Sequence, residues 1–330
     1  MRVVVAPDKF KGTATASVLA SAIGAALAGA GHEVEICPMA DGGEGFLEVL
    51  GGANRITTVN GPLGDPVDAG WRLAKGTAII EMAAASGLVL AGGAEENDAI
   101  EATTRGVGEL LLSAVEAGAR RIVVGVGGSA TTDGGLGALK AMHPPQKFRG
   151  IDLSVACDVR TTFVDAAEVF APQKGASPSQ VALLRRRLER LAQVFKMESG
   201  VDVTEVEAGG AAGGLAGGLL TVGAKLVSGF EFVADEVGLD ELIEGADLVI
   251  TGEGFLDDES FDGKVVGGVA ALCAELDVPC VAIVGEVIEP LPAFPKGFSV
   301  VSLTERFGVD RSMEDPIDCA IEVALEFVEH

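Results

Sequence analysis

Short runs of β-branched and aliphatic residues alternate along the chain with longer stretches whose apolar positions fall three and four apart. Residues 3–6 read Val-Val-Val-Ala, apolar at every position, which predicts a strand buried on both faces. Between Thr13 and Gly31, Leu19, Ile23 and Leu27 recur four apart. That spacing predicts a helix with Thr13 or Thr15 as N-cap and Gly31 just past its C-terminus. Residues 33–38 predict a second strand, and the β-α-β alternation implies a parallel sheet crossed by a helix. The buried-strand signature returns at 247–251, 279–284 and 298–303, with helical segments at 267–276 and 317–328. Two early strands and three late ones make a doubly wound parallel sheet, flavodoxin-like in strand count.

The middle of the chain has another texture. Residues 57–64 read as a strand running into turns, 67–73 alternate like an antiparallel partner, and 77–83 and 120–126 are further strands. Val181, Leu184, Leu188, Leu191 and Phe195 mark an amphipathic helix whose other face carries Arg185, Arg186, Arg187 and Arg190. The ordinary reading of such a basic face is a solvated surface, with phosphate binding the less favoured alternative. The expected architecture is therefore a two-domain α/β chain. Residues 1–48 and 246–330 form a discontinuous flavodoxin-like domain, and 49–245 an inserted α/β domain.

Composition narrows the function classes. In 330 residues, 24 Lys and Arg face 49 Asp and Glu, for a net charge of −25. A field of that sign repels nucleic acid, yet it admits a small anion wherever a few cations converge on one pocket. Five cysteines without a CxxC pair, and three histidines, make a structural zinc site hard to assemble; buried free thiols in a reducing compartment are expected. The N-terminal apolar run is too short for a signal peptide, and the longest one, 208–224, is glycine-rich and ends at Lys225. The expectation is a cytoplasmic protein with no membrane partner. His32, His143 and His330 offer no credible base for serine or cysteine catalysis, and a chain without tyrosine lacks base-stacking platforms.

Candidate chemistry gathers where strands turn into helices. Asp41-Gly42-Gly43-Glu44-Gly45 and Asp133-Gly134-Gly135-Leu136-Gly137 share the pattern D-G-G-x-G, and Thr251-Gly252-Glu253-Gly254 ends a third strand. In such turns an aspartate can cap the helix, hold magnesium or accept a proton, and glycine lets the backbone approach a ligand. Gly125, Gly127 and Ala130 satisfy the loose dinucleotide pattern G-x-G-x-x-A, a weak match in a chain with 46 glycines; no P-loop pattern occurs. Gly209-Gly210, Gly213-Gly214 and Gly217-Gly218 are spaced to line one helix face, either for close packing or as a phosphate-facing helix start. Lys9, Lys11, Arg105, Lys174 and Lys264 are the cations placed in motif-like turns.

As an ordered set, these motifs resemble a known family. Residues 6–12 (APDKFKG), 39–45 (MADGGEG), 60–64 (NGPLG), 80–88 (IEMAAASGL) and 103–110 (TTRGVGEL) are followed by the 125–135 loop. Residues 155–159 (VACDV), 170–177 (FAPQKGAS), the glycine pairs of 209–218 and 250–254 (ITGEG) complete it. Together they are similar to the bacterial glycerate kinases of the glucarate and glyoxylate type. The resemblance implies ATP- and magnesium-dependent phosphorylation of D-glycerate, with 2-phosphoglycerate the favoured product over 3-phosphoglycerate. It also implies a flavodoxin-like domain interrupted by a second α/β domain, with in-line transfer in an interdomain cleft. On that basis Asp41, Lys9, Asp8 and Asp133 are the catalytic candidates. Lys9, Arg105, Lys174 and Glu253 are expected at the substrate. Gly127, Gly128, Ser129, Thr131, Thr132, Gly213 and Gly214 are expected at the nucleotide, and Asp133 and Asp41 at magnesium. A monomer or homodimer is expected. Two alternatives stay open: a nucleotide- or organic-acid-binding protein without turnover, and an NAD(P)-dependent dehydrogenase.

Overall fold

The computed structural model describes residues 1–329. In chain order its strands are β1 (Arg2–Val5), β2 (Glu33–Ile36), β3 (Arg55–Asn60), β4 (Pro66–Ala74), β5 (Thr77–Glu81), β6 (Arg121–Gly125), β7 (Asp152–Ala156), β8 (Lys225–Val227), β9 (Leu248–Leu256), β10 (Cys280–Val287) and β11 (Phe298–Ser302). They form two sheets, and the chain divides into two units. One comprises residues 1–41, 48–50 and the chain from Gly229 onward; the other comprises 42–47 and 51–228.

The first unit holds the sheet β11-β10-β9-β1-β2, parallel throughout. Counted along its own chain, the strand order is 2-1-3-4-5, the flavodoxin-like arrangement. Val3, Val5, Ile250, Val281 and Ile283 point to one face, where they are buried with Leu19, Ile23 and Leu27 of the helix Ala16–Gly29 and with Cys319 and Val323 of the helix Pro316–Val328. Val4, Val249 and Ala282 alternate to the opposite face and are equally buried. Burial on both faces is why these strands read as continuous apolar runs. Thr15 is the N-cap of the first helix, its hydroxyl accepting from the Val18 N–H at 3.3 Å.

The return into this unit comes at Gly229, earlier than the expected 246. The helices Gly229–Val237 and Leu239–Ile243 belong here, because the Phe230 ring lies over Gly268 of the helix Val265–Glu275. A Cβ at Gly268 would stand 2.2 Å from that ring.

The second unit holds the sheet β3-β4-β5-β6-β7-β8, antiparallel from β3 to β5 and parallel from β5 to β8. Its core gathers Trp71, Ile80, Leu110, Leu111, Ile122, Val124 and Leu215. A second cluster packs Phe163 against Leu184, Leu188 and Phe195 of the helix Pro178–Ser199. That helix opens with a capping box between Ser177 and Gln180 and stops at Gly200 in the left-handed region. All five cysteines are buried and free, and no helix among the described residues is long and apolar enough to cross a membrane.

The glycine pairs do not share one helix face. Ala212, Gly213 and Gly214 take left-handed dihedrals, so regular helix resumes only afterwards. This kink packs onto the loop before the helix Leu136–Ala141: the Gly134 N–H donates to Gly213 O at 3.0 Å, and a Cβ on Gly213 would lie 2.0 Å from Thr131 O. Gly213→Ala therefore combines a left-handed backbone with a backbone clash. A loss of ~3 kcal/mol is expected, read as a lower urea midpoint.

Candidate functional site

The neighbouring strands β1 and β9 mark the point where strand order reverses in the first unit, and ligands of open α/β sheets bind beyond the carboxyl ends of such strands. Asp8 follows β1, and its N–H donates to Gly252 O at 2.8 Å. Its carboxylate accepts from its neighbour's N–H at 2.7 Å and lies 3.3 Å from Lys9 Nζ. The same ammonium stands 3.9 Å from Asp41 Oδ1. Burial pushes the Asp8 carboxyl up to about 6; the Asp41 charge adds to the rise and Lys9 opposes it.

Glu253 projects from β9. Its Oε1 is buried and has no hydrogen-bond partner among the described residues. Burial pushes this carboxyl up to about 8, helped by Asp8 and Asp257 and opposed by Ser260 and Lys264. Lys264 itself pairs with Glu259 at 3.2 Å. The first unit thus brings together Lys9, two carboxylates beside it, and a buried carboxyl that keeps its proton at neutral pH.

Among the described residues, no group of three or more His, Cys, Asp or Glu side chains is arranged to hold a metal ion. Magnesium is ordinarily bound by one or two carboxylates, the rest of its shell being water and substrate phosphate. Asp41, within reach of Lys9, supplies a hard oxygen donor of that kind, and Asp8 is a second carboxylate beside it. The residues fit a magnesium ion carried in with phosphate.

The second unit gathers another set at the carboxyl ends of β5 and β6. Asp133 is structural here. Its Oδ2 accepts from the N–H groups of Thr104 at 2.9 Å and Gly137 at 3.1 Å, its Oδ1 from the Gly135 N–H at 3.0 Å, and the Thr104 hydroxyl donates at 2.9 Å. The ~four lone-pair sites of a carboxylate are thereby spent. Asp133 ties the start of the helix Arg105–Glu116 to that of Leu136–Ala141.

Lys174 is 2% exposed, and its ammonium donates to Ser129 Oγ at 2.7 Å and Thr131 O at 2.6 Å. Burial brings it down to about 7, against the pull of Asp133. It braces the loop from inside and is not a surface cation waiting for substrate. Asn97, which the sequence reading did not single out, donates from Nδ2 to Ala130 O and Lys174 O, leaving its buried Oδ1 without a partner. The hydroxyls of Thr131 and Thr132 are buried and likewise have no partner among the described residues.

Two of the loop's backbone donors are already used, Gly127 N–H on Gly42 O and Ala130 N–H on Ser86 O. Gly128 O receives the Leu88 N–H at 2.8 Å. Gly213 and Gly214 are buried beneath the loop as support. Arg105 is half-exposed, with Nε 2.8 Å from Glu109 Oε1. Arg105, Thr132 and Asp133 line a cavity of 620 Å³ together with Lys140, Arg187 and Arg190. Arg187 and Arg190 are exposed, as expected of a solvated face, yet they also border this cavity. The G-x-G-x-x-A match fails structurally, because the helix after β6 begins only at Leu136, too late to present its N-terminus to a pyrophosphate held by Gly125 and Gly127.

The family model described as "Glycerate kinase family" matches residues 3–145 and 143–316. The chain belongs to the glycerate kinase family. Glycerate 2-kinase of Escherichia coli K12 is 39% identical over 329 residues, spanning 88% of this chain and 86% of its own. Glycerate kinase of Bacillus subtilis 168 is 37% identical, with coverage of 87% and 85%. The crystal structure of putative glycerate kinase 2 from Salmonella typhimurium LT2 superposes with a TM-score of 0.78 at 32% identity, over 100% of this chain and 98% of that one. This glycerate kinase family member is a phosphotransferase, and the dehydrogenase alternative is set aside.

Two consequences follow for stability. The folded chain holds the Glu253 proton up to about pH 8, whereas 4.5 is the ordinary value. The unfolded chain therefore binds fewer protons between those limits, and this carboxyl costs stability as pH rises through that window. Glu253→Gln should melt above the parent at pH 8, with the gap closing by pH 4.5 in paired thermal scans. Asp133→Asn turns an NH2 against a backbone N–H. It should lose ~2 kcal/mol in chemical unfolding although asparagine is a good helix cap.

Proposed function

We propose that this chain transfers the γ-phosphoryl group of ATP to D-glycerate, yielding 2-phosphoglycerate with magnesium as the accompanying ion. The observation that carries the reading is the cluster of Asp8, Lys9, Asp41 and Glu253 at the β1/β9 ends, set beside the family membership. Phosphoryl transfer asks little covalent chemistry of a protein. It needs an aligned hydroxyl, charge neutralisation, and a group to receive the hydroxyl proton.

Lys9 is the cation for the anionic partner, either the glycerate carboxylate or the transferring group. Asp8, mostly ionised above its value of about 6, accepts the hydroxyl proton. Glu253, protonated at neutral pH, donates a hydrogen bond to a substrate oxygen. Asp41 would hold the magnesium, which when bound offsets phosphate charge. In the second unit, the hydroxyls of Thr131 and Thr132 and the free N–H groups of the 127–132 loop serve the nucleotide phosphates. Cytoplasmic localisation and a monomeric or homodimeric state complete the proposal.

Phosphorus NMR of a reaction with ATP, magnesium and D-glycerate tests both the chemistry and the position of the new ester. Asp8→Asn and Asp41→Asn should stay folded by circular dichroism and lose ~10²–10⁴-fold in turnover. In the parent, kcat/KM should rise with pH through an inflection near 6 that Asp8→Asn abolishes. Near-parental turnover in both variants would remove these two carboxylates from the mechanism.

A further inference from the structure

The 620 Å³ cavity of the second unit has walls of two kinds. Arg187 and Arg190 of the helix Pro178–Ser199, Lys140 of Leu136–Ala141, and Arg105 supply four cations. Among the described residues, Glu101 and Asp133 are the only acids lining it, and Asp133 is consumed by its internal hydrogen bonds. In a chain of net charge −25 this is a local reversal of sign.

Arg187 spends Nη1 on Ile100 O at 3.0 Å, whereas no ion pair or hydrogen bond engages Lys140 or Arg190 among the described residues. Thr132 lines the same cavity; it is 2% exposed and its hydroxyl has no partner. The remaining wall is apolar, with Leu136, Leu191 and Val194.

We propose that this cavity seats the nucleoside triphosphate, its phosphates held by Lys140, Arg187, Arg190 and the Thr132 hydroxyl, and its base against the apolar wall. The assignment rests on the reading of ATP as phosphoryl donor. A three-carbon acid would leave most of the space empty, while pockets for ligands of nucleotide size run to roughly 300–1,000 Å³. Several cations spaced around one opening match a polyphosphate better than a single carboxylate. Thr132 belongs both to this cavity and to the 127–132 loop, and is the point where the loop meets the cavity wall.

The test is isothermal titration calorimetry on the full chain with ATP, AMP and inorganic phosphate as separate titrants. The variants are Lys140→Ala, Arg190→Ala and their double, with the exposed Arg149→Ala as control. The double variant should bind ATP at least tenfold more weakly and show a matching rise in KM for ATP. Its KM for glycerate should stay within twofold, and Arg149→Ala should match the parent throughout. Arg190→Lys, keeping the charge, should recover part of the affinity. Unchanged ATP affinity in the double variant of a parent that phosphorylates glycerate would overturn the assignment while leaving the reaction intact. Inorganic phosphate binding as tightly as ATP would also overturn it, reducing the cavity to a generic anion patch. A parent that binds ATP through these residues yet transfers nothing to glycerate would overturn the glycerate reading and keep the cavity assignment. Should the double variant melt well below the parent, the single variants on two different helices carry the same expectation.

Discussion

The pairing of β1 with β9 is the constraint on which the first unit depends. A strand reading Val-Val-Val needs apolar cover on both faces and hydrogen-bonding partners on both edges. On one edge β2 follows within a single helix connection. On the other, Val3, Val4 and Val5 pair with Leu248, Val249 and Ile250. Closing so long a loop is tolerable because closure entropy grows slowly, by only ~0.6 kcal/mol per doubling of length, and because the intervening chain builds its own core. The pairing has a chemical consequence. Thr251 Oγ1 donates to Ala6 O and the Asp8 N–H to Gly252 O, so the residues that leave β1 are held against the middle of β9. Asp8, Lys9 and Glu253 share one neighbourhood because two buried strands share one ladder.

What was legible in the sequence follows from that physics. Strands covered on both faces leave continuous apolar runs, and β1, β2, β9, β10 and β11 were all visible as such or by alternation with helices. β7 and β8, reading Asp-Leu-Ser-Val-Ala and Lys-Leu-Val, are short and polar-interrupted, so no period marks them. The helices at 229–243 carry an apolar face, but amphipathicity does not say which sheet will receive it. The boundary expected at 246 falls after these helices, whereas the first unit resumes at Gly229. The glycine pairs read as helical because their spacing is four, and only positive φ at Gly213 and Gly214 reveals the kink. Asp8, Lys9 and Asp41 stood out as motif positions at strand ends. The separate fates of Asp41 and Asp133, identical in local pattern, were not legible, because a carboxylate's job is set by the donors that tertiary structure brings to it.

Matched and unmatched buried polar groups occur in both units. The Asp133 carboxylate and the Lys174 ammonium are matched, and they tie the 129–133 loop to two helix starts. The matched ammonium of Lys174 loses affinity for its proton to burial, yet its two short hydrogen bonds survive deprotonation through the hydrogens that remain. Around Glu253 the balance is left open. A buried oxygen without a partner costs ~1–3 kcal/mol, and that cost persists in a native fold where a ligand can relieve it. Matched groups therefore identify the scaffold, and unmatched ones, Glu253 Oε1 together with the hydroxyls of Thr131 and Thr132, identify where chemistry is expected.

The arginines of the helix Pro178–Ser199 show the same division within a single element. Leu184, Leu188 and Phe195 form its buried stripe. Arg185 faces carboxylates on one side, with Asp165, Glu168 and Glu189 all within 3.3 Å. Arg187 and Arg190, three apart and hence neighbours on the helix surface, take the other side and line the cavity without a carboxylate in salt-bridge range. In a strongly acidic chain, cations held clear of their own protein's acids keep their charge available for something else. The overall negative field raises the selectivity of such a place: it disfavours approach by extended polyanions, while a small anion that reaches the cavity meets a concentrated positive charge over a short distance. Salt screens the long-range repulsion more than the short-range attraction, because exposed charges separated by more than ~8–10 Å are largely screened at physiological ionic strength. Acidity of the whole and basicity of the cavity are therefore compatible, and together they favour a compact phosphorylated metabolite over nucleic acid.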